Sequence, residues 1–457
     1  MRLQDGQTVL DLLVRFDTLQ EVSLINTSSD PDCFDIRLPS FRNLSKLELL
    51  GMHQGRDGRH ERDQEVAKIL IACPHIRMLA LSTAGWAEQD DIALLPKLVQ
   101  YYLNETSQRL RLRSLRLGYG FLPIESPSDY LSELTDTTLL ESLRLDNDNV
   151  NVTTIVTDAP IDVKQFDSAT NITSLTAERL SADIVALIHQ LNSSGQLNTL
   201  LLPRYCDTQP RTRMDEEDDH WWDDWYGPDG LAEPPQWGPY QLFSEPLGQA
   251  GKHWKSLLIG DIFRTEYLND CILDCIATYV HLEILTLPLQ AESWPCFRDG
   301  IMPKLRYLQE LFLVGGKMAG THGYPGFAVS DDEIHSSRTA QQEREKLIKQ
   351  RDQEYTAHLT TFATAVFREN RSKIARGEDY AELRYLGLGS SVYTCVLLSA
   401  QCSSGLAAFS VEEDGERRKH QVVLLDEDEA NAFESMREYN EEIEELRVGG
   451  DERGPAW

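Results

Sequence analysis

Cysteine and histidine are the residues with which this chain could bind a metal or attack a substrate, and their spacing is irregular. The eight cysteines include no C-x-x-C pair, so the spacing typical of a zinc site is missing. Cys271 and Cys275 lie four residues apart in an apolar helical pattern, where free cysteine usually packs as a small hydrophobic side chain. Scattered thiols indicate a reducing compartment. We therefore expect a cytoplasmic or nuclear protein without a bound metal or other cofactor.

Known catalytic patterns do not occur in the sequence either. It contains no G-x-S-x-G, H-E-x-x-H, G-x-G-x-x-G or deaminase-type H-x-E motif with C-x-x-C. The glycine-rich stretch that begins at Gly315 does not fit the phosphate-binding pattern G-x-x-x-x-G-K-[ST]. The sequence predicts that the chain is not an enzyme. A catalytic site assembled from dispersed residues is the least favoured alternative.

One segment concentrates acidic and aromatic side chains. Residues 206–251 include the run RMDEEDDHWWDDWYGPDG, in which Trp221, Trp222 and Trp225 follow a series of aspartates and glutamates. Long segments of this kind in compact domains are usually functional or disordered. Three interpretations stay open. The tryptophans pack against the rest of the domain, they dock a basic partner, or the carboxylates bind a metal together with His220.

A short apolar phrase recurs along the chain and defines the elements that position the other residues. Apolar residues occupy its first, fourth and sixth positions, as in LRSLRL from Leu112 and LESLRL from Leu140. Alternating apolar positions predict a short strand with one buried face, which a single strand cannot hide alone. The eleven copies begin at Leu19, Leu44, Ile76, Leu112, Leu140, Ile172, Leu197, Trp254, Leu282, Leu308 and Leu383.

The segments between the phrases have apolar residues at three- and four-residue spacing. This pattern predicts helices over residues 63–76, 90–106, 181–192 and 268–280. Strands and helices therefore alternate. We expect an α/β solenoid with parallel strands on a concave face and helices on the convex face.

The pattern resembles the leucine-rich-repeat family over roughly residues 10–400, which implies a horseshoe-shaped protein-binding scaffold. The family places Asn or Cys three residues after the last leucine of the phrase, whereas this sequence has residues such as Thr27, Met52 and Gly120 there. The irregular repeats are similar to the substrate-receptor part of fungal F-box proteins, which implies docking to a cullin–RING ubiquitin ligase adaptor. No F-box precedes the first phrase. Either the gene model is truncated, or the chain is a free-standing scaffold.

The domain organisation follows from the interruptions of the repeat. We expect one repeat domain over residues 1–400, with the acidic, tryptophan-rich insertion at 206–251 and a loop plus a long helix at 315–382. Strand-like segments then flank Asp414–Gly415, a strong hairpin signal, and an acidic helix follows. We predict a small hairpin-plus-helix cap over 401–447 that covers the open edge of the array, and a frayed tail over 448–457.

The position between the two inner apolar residues of each phrase gives a row of outward side chains. The row is polar in its first half and largely apolar in its second. Arg116 and Arg144 are neighbours in it, and arginine geometry favours carboxylate or phosphate. Glu48, Asp146 and Glu178 neutralise the pair, or the pair binds an anion beside an apolar groove. With flanking residues, the predicted partner-binding surface is Glu48, Arg116, Arg144, Asp146, Leu201, Leu258, Ile284, Phe312 and Tyr385.

The charge balance narrows the choice of partner. Seventy-four acidic and 44 basic residues give a formal net charge of −30. Such a field repels nucleic acid and anionic membranes and favours basic partners. The sequence also lacks an unbroken apolar stretch of the ~20 residues that a membrane span needs. We therefore expect a protein or peptide partner, with neither nucleic acid nor membrane involved.

Overall fold

The computed structural model describes residues 3–16, 18–25, 37–52, 62–83, 94–123, 129–146, 161–177, 182–193, 195–202, 251–260, 270–289, 293–314, 338–388, 391–397, 407–413 and 416–425. The chain divides into two compact units, Met1–Leu242 and Phe243–Trp457. Each unit is mixed α/β, with an open run of strands that is parallel throughout the first unit and partly parallel in the second.

The described residues of the first unit form seven strands in chain order, and each is parallel to the next. Every strand begins at the third residue of a phrase, as the alternating pattern predicts. The strands are β1 Glu21–Ile25, β2 Lys46–Met52, β3 Met78–Thr83, β4 Ser114–Gly118, β5 Ser142–Asp146, β6 Ser174–Ala177 and β7 Thr199–Leu202.

Helices lie between these strands, and the predicted helices form. The second helix ends just before Cys73 and Pro74, because the residue before a proline is disfavoured in helical conformation. The third has Pro96 in its first turn, where no helical N–H is lost. The helices are α1 Leu3–Leu13, α2 Arg62–Ala72, α3 Leu94–Glu105, α4 Tyr130–Leu134 and α5 Ala182–Ser193.

In the part of the second unit that the structure describes, four parallel strands are followed by three antiparallel ones. The predicted long helix and the predicted hairpin both form, since Glu413 pairs with Glu416. The antiparallel part already begins at Ser391, ahead of residue 401, and the predicted final helix lies outside the described residues. The elements are β8 Ser256–Ile259, α6 Asp270–Ile276, β9 Ile284–Pro288, α7 Trp294–Gly300, β10 Glu310–Val314, α8 Arg338–Ala375, β11 Tyr385–Leu388, β12 Ser391–Leu397, β13 Ala407–Glu413 and β14 Glu416–Leu424.

The same backbone geometry starts the parallel strands of both units. The N–H groups of Arg113 and Ser114 both donate to the carbonyl oxygen of Arg77, at 2.8 and 3.1 Å. Paired donation to one carbonyl of the preceding repeat recurs from β1 to β7 and again from β8 to β11. The phrases therefore share one backbone register, and their outward side chains form aligned rows.

Each parallel strand has an inner and an outer face. We call the face of Leu115 and Leu117 the inner face; these leucines and their partners Leu143 and Leu145 are buried, as predicted. We call the opposite face, which carries Arg116 and its register partners, the outer face. Ser114, Arg116, Ser142 and Arg144 are half-buried there, not exposed as predicted, because side chains on strands about 4.8 Å apart shield one another.

The turn that leads from α8 into β11 is held by Asn370, which is buried. Its amide nitrogen donates to the carbonyl oxygen of Ala381 at 3.1 Å, and its amide oxygen accepts from the N–H of Leu383 at 3.0 Å. Tyr380 donates its hydroxyl to the carbonyl oxygen of Pro303 at 2.6 Å. These bonds fix the start of β11 and so position Tyr385 on the outer face.

Candidate functional site

The outer face of the first unit brings Arg116, Arg144 and Asp146 together. Arg116 and Arg144 are register partners on β4 and β5, and Asp146 lies two residues after Arg144 on the same face. Nε of Arg116 donates to Oδ2 of Asp146, and Nε of Arg144 donates to Oδ1 at 2.7 Å. One carboxylate therefore orients both guanidinium groups, and each uses a different oxygen.

Glycine at position 118 makes room for this arrangement. Gly118 is the register partner of Asp146 on the neighbouring strand. A Cβ atom at this position would lie 2.6 Å from Cβ of Ser82, closer than two carbon atoms can approach, and 3.5 Å from Cβ of Asp146. A larger residue would thus push Ser82 out of place, whereas the distance to Asp146 is an ordinary van der Waals contact.

The sequence left open whether nearby acids neutralise the arginine pair or the pair binds an anion. The structure shows which of these acids contact the arginines. Asp146 contacts both arginines, whereas Glu48 pairs with Lys46 of its own strand at 3.2 Å. Ala80 separates Glu48 from Arg116 in the row. The third acid that the sequence offered, Glu178, lies outside the described residues. Neutralisation by Asp146 is therefore observed, and neutralisation by Glu48 is not.

A row of hydroxyl groups lies beside the arginines. Ser114, Ser142, Ser174 and Thr199 are register partners on four consecutive strands, and all four are half-buried. No described residue forms a side-chain hydrogen bond with them. Hydroxyl groups both donate and accept, so this row can bind polar groups of a ligand that also contacts the guanidinium groups.

The outer face of the second unit is covered where the sequence predicts an apolar groove. Leu258 is 5% exposed and Phe312 is 0% exposed, and in the first unit Leu201 is similarly buried. The Phe312 ring lies over Gly387, its register partner, since a Cβ there would come within 2.3 Å of the ring. These three residues are in the outward row, as predicted, but they do not line an exposed groove.

On the outer face of the second unit, the third positions of the phrases form a second row that is half-exposed. The residues predicted from the sequence include only part of this row. Ile284, Glu310 and Tyr385 are register partners on β9, β10 and β11, and all three are half-buried. Burial raises the pKa of the Glu310 carboxyl, and the positive charge of Arg384 opposes this shift. Glu310 was missed because only the fifth position of each phrase was followed. The third position, followed in the same way, would have revealed it.

The other candidate residues are cysteines, and the tryptophans and histidine of the acidic segment. Among the described residues, no three metal-binding side chains converge. Cys73 donates to the carbonyl oxygen of Phe41 at 3.4 Å, and burial raises its pKa, which makes the thiol unreactive. Trp221, Trp222 and Trp225 lie outside the described residues, as does His220. The described helices are all too short or too polar to cross a lipid bilayer.

Comparison of the chain with protein-family models and with curated proteins finds no match. No protein-family model matches it, and no curated protein is significantly similar to it. Its function must therefore be inferred from its own residues.

Proposed function

We propose that this chain is a leucine-rich-repeat solenoid whose outer strand face binds a protein or peptide partner, without catalysing a reaction itself. The repeated phrase and the parallel strands in chain order support this proposal. A stack of short parallel strands aligns outward side chains in rows, and repeat proteins use such rows as extended binding surfaces.

The observation that carries the proposal is the pairing of Arg116 and Arg144 on one carboxylate. Asp146 engages the Nε atom of each arginine. Both arginine side chains keep more than a quarter of their surface exposed, at 30% and 27%. In Arg116 the two terminal nitrogens form no hydrogen bond with any described residue and remain donors for a ligand. Guanidinium groups bind carboxylate and phosphate through two parallel hydrogen bonds, so the partner offers an anionic group here.

This local positive charge contrasts with the rest of the chain. A net charge of −30 would repel an anionic ligand at long range. A partner that still binds here must approach the arginines closely, within the roughly 8 Å over which charges act at physiological salt. The proposed partner segment is therefore locally acidic but belongs to a protein that is not strongly acidic overall.

Charge reversal tests the proposal. Partners are captured with the full-length chain and identified by mass spectrometry, and each partner is then purified and titrated. The double variant Arg116→Glu and Arg144→Glu should weaken binding, and the remaining binding should lose its dependence on salt. The matched control is Arg113→Glu, because Arg113 directly precedes the strand of Arg116, is 60% exposed and pairs with Glu141 at 3.6 Å. Equal affinity of wild type and double variant would exclude this face as the site.

The resemblance to fungal F-box proteins adds a narrower proposal. As the substrate-recognition part of a ubiquitin ligase receptor, the protein would connect its partner to a cullin–RING adaptor. The alternative is a free-standing scaffold unrelated to ubiquitin. Recovery of a cullin–RING adaptor with the full-length protein, together with faster turnover of the captured partner, would support the receptor role. Capture of the partner without any adaptor would favour the free-standing scaffold.

A further inference from the structure

Glu310 occupies an unusual position for a carboxylate. It is the first residue of β10, and it lies on the outer face between Ile284 on β9 and Tyr385 on β11. The residue is half-buried, and its neighbours in the row offer an aliphatic chain and an aromatic ring. A carboxylate in such surroundings loses hydration without gaining a hydrogen-bond donor from its row.

The cations near Glu310 do not neutralise it at close range. Arg384 precedes Tyr385 and is exposed. Its charge acts on the carboxylate, but no described residue places a cationic nitrogen within ion-pair distance of Glu310. Lys255, at the start of β8, is already paired with Glu283 at 2.9 Å.

A second polar group on the same face also has no partner. The hydroxyl of Thr286 is buried, and no described residue forms a hydrogen bond with it. Thr286 lies two residues after Ile284 on β9, one diagonal step from Glu310, and it pairs with Phe312 in the register. Buried polar groups in proteins are normally hydrogen-bonded. A carboxylate and a hydroxyl thus remain unsatisfied on neighbouring strands.

We infer that Glu310 binds an arginine side chain of the partner, with Ile284 and Tyr385 on either side of the guanidinium and its stem. The inference rests on the proposed function, because it requires a polypeptide on the outer face. Charge complementarity favours a cationic group of the partner at this position, since the Glu310 carboxylate has no ion-pair partner among the described residues and the chain has a net charge of −30. A tyrosine ring adds a cation–π contact, and an aliphatic neighbour packs against the methylene stem.

Arginine fits better than lysine for a geometric reason. The Glu310 carboxylate offers two oxygen acceptors and is half-buried, so a ligand group that donates two parallel hydrogen bonds satisfies it best. The planar guanidinium carries five N–H donors in a fixed fork, whereas ammonium is a compact, strongly hydrated point charge. The site should therefore prefer arginine to lysine, and this preference should depend on the Glu310 carboxylate.

A peptide selection tests the inference on the full-length protein. A random peptide library is selected on the immobilised wild-type chain, and the enriched peptides are synthesised and titrated. We expect peptides with an arginine next to an apolar residue. Replacing that arginine by lysine should weaken binding severalfold. Glu310→Gln should weaken it by about ten- to a hundredfold, as expected for loss of a hydrogen bond between charged groups.

Matched variants distinguish a loss of peptide binding at Glu310 from a loss of binding caused by unfolding. Glu283→Gln removes a carboxylate that is paired with Lys255 one strand away, and the selected peptides should bind it as tightly as wild type. Thr286→Val keeps the shape of the side chain and removes a buried hydroxyl, so it should leave the preference for arginine over lysine unchanged. Glu310→Gln should unfold at no lower urea concentration than wild type, because it removes a half-buried charge. Loss of binding together with unfolding would attribute the effect to the fold and overturn the inference.

The outcomes also distinguish this inference from the proposed function. Peptides that lack arginine, or that bind Glu310→Gln as tightly as wild type, overturn the inference. If the same peptides lose affinity for the Arg116→Glu and Arg144→Glu variant, the proposed function stands and only the arginine site fails. Peptides that depend on Glu310 alone support the arginine site and contradict the anion site. A library without any binder contradicts both.

Discussion

The outer faces of the two units use one backbone register for different purposes. In the first unit, the row between the inner leucines carries Arg116 and Arg144, which share Asp146 and stay partly exposed. In the second unit, the equivalent positions carry Thr286 and Phe312, which are almost completely buried. Identical strand starts do not therefore produce identical surfaces. The backbone determines the position and face of an outward side chain. Whether the side chain is exposed or buried depends on its type and on its neighbours.

Glycine marks the same difference in both units. Gly118 lies between Ser82 and Asp146, so the space it leaves beside Arg116 holds polar groups. Gly387 lies under the Phe312 ring, and this ring occupies the space that a side chain at position 387 would fill. In each case a residue without a side chain accommodates a large neighbour on the adjacent strand. The chemistry of that neighbour, charged or aromatic, separates a partly exposed position from a packed one.

The largest expected effect tests whether Phe312 is core. Phe312→Ala should destabilise the second unit by about 3–5 kcal/mol, as for other fully buried phenylalanines. The inner-face variant Leu143→Ala should cost a similar 2–5 kcal/mol in the first unit. Arg144→Ala, at the position equivalent to Phe312, should cost only about 1 kcal/mol. Urea unfolding followed by hydrogen exchange in each strand measures all three.

Equal costs for Phe312→Ala and Arg144→Ala would remove the contrast between the two faces. Phe312 would then be a surface residue, and the apolar groove predicted from the sequence would regain its support. A cost near that of Leu143→Ala would instead place the second outer face in the core.

An intermediate effect tests the shared carboxylate. Asp146→Asn leaves two half-buried guanidinium groups side by side, so we expect a loss of about 1–2 kcal/mol, less than for a fully buried ion pair. Added salt should reduce this loss because it screens the repulsion between the arginines. The control Glu141→Gln removes an exposed carboxylate that lies 3.6 Å from Arg113 and should cost at most about 0.5 kcal/mol. A loss for Asp146→Asn that is independent of salt would contradict the electrostatic origin.

The smallest effect has the opposite sign. Burial raises the pKa of Glu310 in the folded state above its unfolded value. The carboxyl therefore favours the folded state while it is protonated, at pH below the unfolded pKa, and this contribution is lost as pH rises through the folded pKa. Glu310→Gln should be slightly more stable than wild type at neutral pH, and the difference should vanish in acid. Urea midpoints across a pH series measure it. A variant that is less stable at neutral pH would show that the carboxylate is satisfied in the folded protein.

The sequence predicted the parallel strands because their signal is periodic and local. The third residue of every phrase begins a strand, and Leu115 and Leu143 are buried as the alternation requires. The period assigns a side chain to a face, but it does not say what covers that face. For this reason Phe312 was placed in the correct row and given the wrong exposure.

The details of the candidate site depend on diagonal neighbours, which a single row does not reveal. Asp146 reaches Arg116 across a strand boundary, and Gly118, its register partner, lies against Ser82 on the next strand. Glu310 lies at the third position of its phrase, between Ile284 and Tyr385 on the adjacent strands, and the row of fifth positions does not include it. The neighbours of Asp146 and of Glu310 could both be predicted from the sequence if the phrases were aligned and all their outward positions, not only the fifth, were compared between adjacent strands.

The paired donation at each strand start has a consequence for how the chain folds. Two consecutive N–H groups can bind one carbonyl oxygen only after the preceding strand has formed, as Glu283 and Ile284 do on Lys255. Each strand is thus a template for the next, and order should spread stepwise from a nucleus instead of arising everywhere at once. Contacts between successive repeats are close in sequence, which favours rapid growth within a unit. The slowest step should then be the one in which β11 docks on β10, since all of α8 lies between them.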